Sequence, residues 1–374
     1  MKIVSIVKFV SICVVCVVSI TSTAREVWTS KYANEWFAKQ PYRAGVNYIP
    51  SYAINSIEFW QKETFDINTI EKEFALMQSI GFNAARVFLS DLVVNDNPKE
   101  FLQRFEQFLQ VADKYNIGIM ITFFTNGGRN DGKLGKQPEP DGTHNSGWKK
   151  TPSLEILGDK SKWHLLENYV KTVIKAHAND TRIICWDIFN EPGNISSAHI
   201  TKGGKGLSKK DIEYLENCCL DLLKECANWA RSLDPIQPIT FGIHRYDHDP
   251  LGKKFNKIQH AESDIISFHS YESLLSQANL VRNLKRYNKP IMCTEWMGRN
   301  RGSSINPILE AHKKNKIWSF MFGFVAGKMQ SWRPWKADEN EFSEGIWFHD
   351  LFYPDHTPYC PEEIAYIKRV LQKK

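Results

Sequence analysis

Ile183-Ile184-Cys185-Trp186-Asp187-Ile188-Phe189-Asn190-Glu191-Pro192 is apolar almost throughout and turns polar at its end. A run of this length, rich in β-branched and aromatic residues and without strict alternation, reads as a strand covered on both faces. That is the pattern of parallel sheets. Pro192 brings no N–H to a ladder and ends regular pairing. Asn190 and Glu191 are thereby placed at the C-terminal end of a buried strand.

Seven further runs of the same character flank this one. Residues 43–49, 82–89 and 117–124 precede it; residues 238–243, 264–271, 290–296 and 322–332 follow. Helical stretches separate them. Residues 66–80 carry Ile67, Ile70, Phe74 and Met77 on one stripe, and Gly81 stops the helix. Residues 99–115 place Phe101, Phe105, Phe108, Leu109 and Ala112 at helical spacing. Further helices are expected over 161–178, 208–233, 251–258, 274–287, 304–316 and 362–372. Ser208 with Asp211 supplies an N-cap and an acidic first turn.

Eight strand–helix units over this length predict an α/β fold, a (β/α)8 TIM barrel, as one domain over residues 25–374. An open doubly wound sheet would also alternate, but it needs a glycine-rich phosphate turn after its first strand. Asn47-Tyr48-Ile49-Pro50 cannot serve as one. The connection 125–159 is far longer than the rest and holds many Gly, Pro, Asn and Asp residues with Trp148. Following a strand of the barrel, it is expected to wall a substrate cleft on the catalytic face.

In a barrel, side chains of different strands meet at the strands' C-terminal ends. Two carboxylates stand there. Glu191 closes the fourth run, and Glu295, in Cys293-Thr294-Glu295-Trp296, closes the seventh. Three βα units of about 30 residues each separate them. Cleaving a glycosidic bond needs such a pair: one group carries a proton for the leaving oxygen, and the other is ionised at the sugar carbon. Carboxyl groups about 5–5.5 Å apart would give retention of configuration.

Strand-four Asn190-Glu191-Pro192 with strand-seven Glu295 resembles the clan of retaining barrel glycosidases that includes cellulases, β-mannanases and xylanases. Within it the chain is most similar to the family 5 cellulase-like enzymes. The resemblance implies Glu191 as acid/base and Glu295 as nucleophile, with Asn190 on the sugar 2-hydroxyl. It also implies that Arg86 holds Glu295 ionised, that Tyr271 hydrogen-bonds Glu295, and that His269 lies near Glu191. Arg86 could instead pair with Asp187 inside the barrel. Two positions depart from the family pattern. Phe123-Phe124-Thr125-Asn126 lacks the histidine usual at the end of strand three, and Asn126 is expected to take its part in sugar binding. Near strand eight, Gln330, Trp332 and Trp335 are candidates for the aromatic floor at the cleaved bond; Trp332 is preferred. Trp60, Trp148 and Trp296 are candidates for further subsites.

The implied activity is double-displacement hydrolysis of a β-glucan, β-mannan or xylan, endo-acting on β-1,4 links. It needs no cofactor and no metal. Two other readings compete. A metal-dependent hydrolase would use His244, His248 and His269. A glycan-binding barrel would have no turnover.

The remaining signals concern location. Lys2 and Lys8, the apolar stretch 9–20 and Ser22-Thr23-Ala24 form a secretory signal with cleavage after Ala24. A secreted monomer, free of the membrane after cleavage, is expected. The net charge of +6 loses two units with the signal, and its basic residues are scattered, so nucleic acid is not an expected partner. Cys185 and Cys293 lie within strands and are expected as buried thiols.

Overall fold

The computed structural model describes residues 24–128, 130–195, 207–243, 250–335 and 345–372. Residues 1–23 of the expected export signal lie outside the described residues. Eight parallel strands form one sheet: β1 (Ala44–Asn47), β2 (Ala84–Phe88), β3 (Gly118–Thr125), β4 (Ile183–Asn190), β5 (Ile239–Gly242), β6 (Ile266–Ser270), β7 (Ile291–Trp296) and β8 (Trp318–Phe322). Their order is β5-β4-β3-β2-β1-β8-β7-β6. β5 and β6 close the circle through side chains. The Thr240 hydroxyl donates to the Ile265 carbonyl at 2.7 Å and the Ser267 hydroxyl to the Phe241 carbonyl at 2.5 Å. The result is a nearly closed (β/α)8 barrel.

Helices α1 (Ile67–Ser79), α2 (Pro98–Lys114), α3 (Trp163–His177), α4 (Lys209–Arg231), α5 (Pro250–Glu262), α6 (Leu274–Leu284), α7 (Ile305–Lys314) and α8 (Pro361–Gln372) follow the strands in turn. Asp66 caps α1 by accepting from the N–H groups of Asn68 and Thr69, and Ile70, Phe74 and Met77 bury its inner face. Ser208 and Asp211 form a reciprocal capping box at α4. Covered by these helices, every residue of β2, β3, β4 and β7 is buried. The opposite end of the barrel is stoppered by a leading helix, Ser30–Ala38, whose Trp36 and Phe37 pack on Trp318 with ring centroids 6.1 and 4.8 Å away.

The eighth strand differs from expectation. It is Trp318–Phe322, directly after α7, and not the run 322–332. Gly323, at φ +80°, turns the chain out of the barrel; a Cβ there would meet Asp350 Oδ1 at 2.5 Å. The run beyond it is apolar because Phe324, Val325, Ala326 and Met329 are buried beneath neighbouring loops. Those loops give it the composition of a strand without the ladder.

Cys185, Cys218, Cys219, Cys226 and Cys293 are buried free thiols, and Cys360 is a half-buried one. Among the described residues no helix is long and apolar enough to cross a membrane.

Candidate active site

The barrel interior carries a polar cluster on alternate inward-facing positions, and Arg86 of β2 organises it. Arg86 is fully buried and uses all five guanidinium donors. Nε and Nη2 donate to Asp187 Oδ2 at 2.8 and 2.6 Å, and Nη2 also donates to Asn190 Oδ1 at 2.6 Å. Nη1 donates to Asn47 Oδ1 at 2.6 Å and to Glu295 Oε1 at 2.9 Å. Burial alone would lower the guanidinium pKa, but the charges of Asp187 and Glu295 outweigh it and raise the pKa. Arg86 therefore meets both partners, Asp187 and Glu295. Gly242 of β5 makes room for this packing. A Cβ there would lie 3.0 Å from Asn190 Oδ1, 3.1 Å from Arg86 Nη2 and 3.2 Å from His269 Nε2.

Glu191 follows β4 in a left-handed conformation, φ +49°. This is uncommon outside glycine. Its N–H donates to the Gly242 carbonyl at 2.8 Å, which pins the turn. Asn194 Nδ2 donates to Glu191 Oε2 at 2.8 Å. His269 Nδ1 lies 2.8 Å from Glu191 Oε1 and 3.5 Å from Glu295 Oε2. The Tyr271 hydroxyl donates to Glu295 Oε2 at 2.8 Å. Burial and the nearby charges of Glu295 and Glu191 push that hydroxyl well above its usual range, so it stays a donor. One carboxyl oxygen of Glu191, one of Glu295 and a nitrogen of His269 all lie within 4.8 Å of one another. These three atoms could in principle ligate a metal ion, but both oxygens of Glu295 already accept from Arg86 and Tyr271. A second acidic cluster, Glu106, His177 and Asp180, is already served by a cation: Arg182 donates to both of its carboxylates. His244 and His248 of the metal-dependent reading lie outside the described residues.

Glu191, Glu295, Asn190, His269 and Tyr271 all line one cavity of about 540 Å³ at the C-terminal ends of the strands. Arg86 sits beneath it, hidden from it by its partners. Two expected residues are elsewhere. Asn126 is fully buried and does not line the cavity. Its Nδ2 donates to the Pro192 carbonyl at 2.6 Å and contacts Cys219 Sγ, so it holds the turn that carries Glu191. Trp332 packs on Trp347 at 5.7 Å with the Arg333 guanidinium over its face. Trp335 lines the cavity in its place, 40% exposed, edge-to-face on Tyr271 at 5.0 Å. Trp148 also lines it. Trp60 and Trp296 are core residues: Trp60 stacks on Phe59 and donates Nε1–H to the Phe88 carbonyl, and Trp296 packs on His312. The cavity further recruits His144, Asn145, Asn194 and Glu272. Of these, only Asn194 had a local signal, three residues after Glu191.

The sequence profile Cellulase (glycosyl hydrolase family 5) matches residues 43–341. The chain belongs to glycosyl hydrolase family 5. Solved structures of similar fold include the exo-β-1,4-mannosidase of Opitutaceae bacterium strain TAV5 (TM-score 0.57, 16% identity, 88% of this chain and 60% of that one). They also include the endo-1,4-β-mannanase of Rhizomucor miehei (0.53, 16%, 77% and 87%). A third is the β-mannanase of the blue mussel Mytilus edulis (0.53, 15%, 89% and 92%). The chain thus spans 60% of the length of the exo-mannosidase it resembles. Curated protein sequences give no match. At these identities the structures speak for the fold alone, and the family rests on the profile.

Proposed function

We propose that this family 5 enzyme cleaves β-1,4-linked glycans with retention of configuration, Glu295 acting as nucleophile and Glu191 as acid/base. The observation that carries the reading is the carboxyl pair itself, with oxygens of Glu191 and Glu295 within 4.8 Å across one cavity. That is too close to seat a water between them, as inversion at about 6.5–9.5 Å requires. In the first step a Glu295 oxygen attacks the anomeric carbon, the bond to the leaving oxygen breaks, and Glu191 gives that oxygen its proton. In the second, Glu191 takes a proton from water, the water oxygen bonds the same carbon, and the ester to Glu295 breaks.

The surroundings support the division of labour. Arg86 and Tyr271 both donate to Glu295, one to each oxygen, which fixes the carboxylate at the floor of the cavity. Glu191 is reached by His269 Nδ1 and accepts from the Asn194 amide at the mouth of the same cavity. Asn190, held by Arg86 and by the Thr125 hydroxyl at 3.2 Å, faces the cavity where a 2-hydroxyl would lie. Trp335 offers the flat face for the sugar at the cleaved bond. We also read the chain as exported by its first 24 residues and active as a monomer.

Glu295→Ala tests the reading. It should abolish turnover of aryl β-glycosides while the fold persists, and azide should restore cleavage as the α-glycosyl azide. A β-glycosyl azide, or inverted sugar from the wild type, would overturn it.

A further inference from the structure

The long connection after β3 crosses the mouth of the barrel. It is first tied to the segment after β1: Asn55 Nδ2 donates to Gln137 Oε1 and to the Gly147 carbonyl, both at 3.0 Å. Gln61 and Gly135 exchange two hydrogen bonds of 3.1 Å. It then docks on the segment after β8. The Ser146 N–H donates to the Met329 carbonyl and the Gly142 N–H to Gln330 Oε1, each at 2.8 Å, and His144 Nδ1 lies 2.6 Å from the Arg333 carbonyl. Trp148 meets Phe88, the last residue of β2, edge-on at 5.2 Å. This segment stands over β8, β1 and β2.

The catalytic pair gives the site a direction. Glu191 follows β4, and the sheet order sets three strands between β4 and β8 on either side, so the two face each other across the axis. An acid on β4 places the leaving sugar over β4. The sugar that bonds Glu295 then points towards β8 and β1, where the crossing segment rises. His144 and Asn145 line the cavity on that side. Asn145 is held at φ +50°, and its buried Oδ1 accepts no hydrogen bond among the described residues. A buried acceptor without a donor is unfavourable, because it has given up water for nothing. A sugar hydroxyl is a donor of the required kind.

Resting on the retaining-glycosidase reading, we propose that the enzyme attacks β-linked oligosaccharides at their non-reducing end and releases the terminal sugar. The wall formed by residues 142–148 stops the glycan from extending past that sugar, and the Asn145 amide oxygen accepts a hydrogen bond from one of its hydroxyls. This departs from the endo action expected from the sequence, which needs a cleft open at both ends.

The test uses β-1,4-linked hexasaccharides of mannose, glucose and xylose, tagged with 2-aminobenzamide at the reducing end, and the wild-type chain. At the earliest times the expected products are tagged pentasaccharide and untagged monosaccharide. Shorter tagged fragments at those times, from internal cuts, overturn terminal action while leaving the retaining mechanism intact. If no hexasaccharide is cut and no aryl glycoside either, the mechanism itself falls. Asn145→Gly keeps the left-handed backbone and removes only the amide. It should raise KM about tenfold or more with the cleavage position unchanged. An unchanged KM overturns the role of Asn145, and the wild-type digest decides terminal action independently of that variant.

Discussion

Replacing Arg86 by methionine should cost more than any other single change in the barrel interior. Five hydrogen bonds leave with the guanidinium, and Asp187, with no exposed side-chain surface, keeps its charge without a cation. Breaking a buried pair from one side costs about 3–5 kcal/mol, because the remaining charge stays desolvated. Against a total stability of about 5–15 kcal/mol, that leaves a marginal fold. Arg86→Lys keeps the charge, but a single ammonium cannot reach β1, β4 and β7 at once. It should recover about half of the loss. Activity should follow Glu295. Losing a charge-assisted hydrogen bond of about 1.5–3 kcal/mol to the nucleophile lowers kcat about 10–100-fold in Arg86→Lys. Urea unfolding of Arg86→Met, Glu295→Gln and the double variant supplies the decisive number. Since the stranded Glu295 charge is part of the cost, the double variant should be more stable than additivity predicts, by about 1–3 kcal/mol. A coupling near zero, or an Arg86→Met variant as stable as the wild type, would refute the reasoning.

Tyr271→Phe removes the 2.8 Å hydrogen bond to Glu295 and little volume. It should lower kcat about 10–100-fold with a small change in KM, measured on an aryl glycoside. Trp335→Ala and Trp332→Ala should separate cleanly: the first raises KM because Trp335 lines the cavity, and the second lowers the melting temperature with KM intact. Asp350 carries a pH signature. Burial pushes its carboxyl up to about 6 despite hydrogen bonds from the Ser331 hydroxyl at 2.8 and 3.0 Å. A folded pKa above the unfolded one contributes stability that is full below about pH 4 and is lost as pH rises through about 6. Asp350→Asn removes that loss, so between pH 4 and pH 7 its unfolding free energy should fall by about 1–3 kcal/mol less than that of the wild type. Parallel pH curves would contradict it.

What could be read from the sequence divides along the range of the interactions. Strand-end chemistry is local. An apolar run that stops at Asn190-Glu191-Pro192, or at Glu295, states where those side chains stand in any parallel barrel, and the structure brings both to one cavity. Helix limits were legible for the same reason, since caps such as Asp66 and Ser208 act within three residues. Burial by distant chain is not local. The run after Gly323 looks like a strand because other loops cover it, and only the left-handed turn at Gly323 ends the ladder. Tryptophans show the same limit. Trp60, Trp332 and Trp335 all lie beyond strand ends, yet one fills the core, one packs on Trp347 and one faces the cavity. Nothing within a few residues of each sets that choice.

The crossing segment is the extreme case. Gly142 and Gln330 are 188 residues apart, and their hydrogen bond closes one side of the site. The family pattern places a histidine at the end of strand three, and this chain has Asn126 there, tied to Pro192 instead. A different histidine, His144, reaches the cavity from the far side, carried by the same connection. The connection that lacks a histidine at its start thus carries one into the cavity further along. His144 stands there as part of the wall, its Nδ1 2.6 Å from the Arg333 carbonyl. If that wall governs access, the long connection decides where a glycan is cut, while the strand ends decide how.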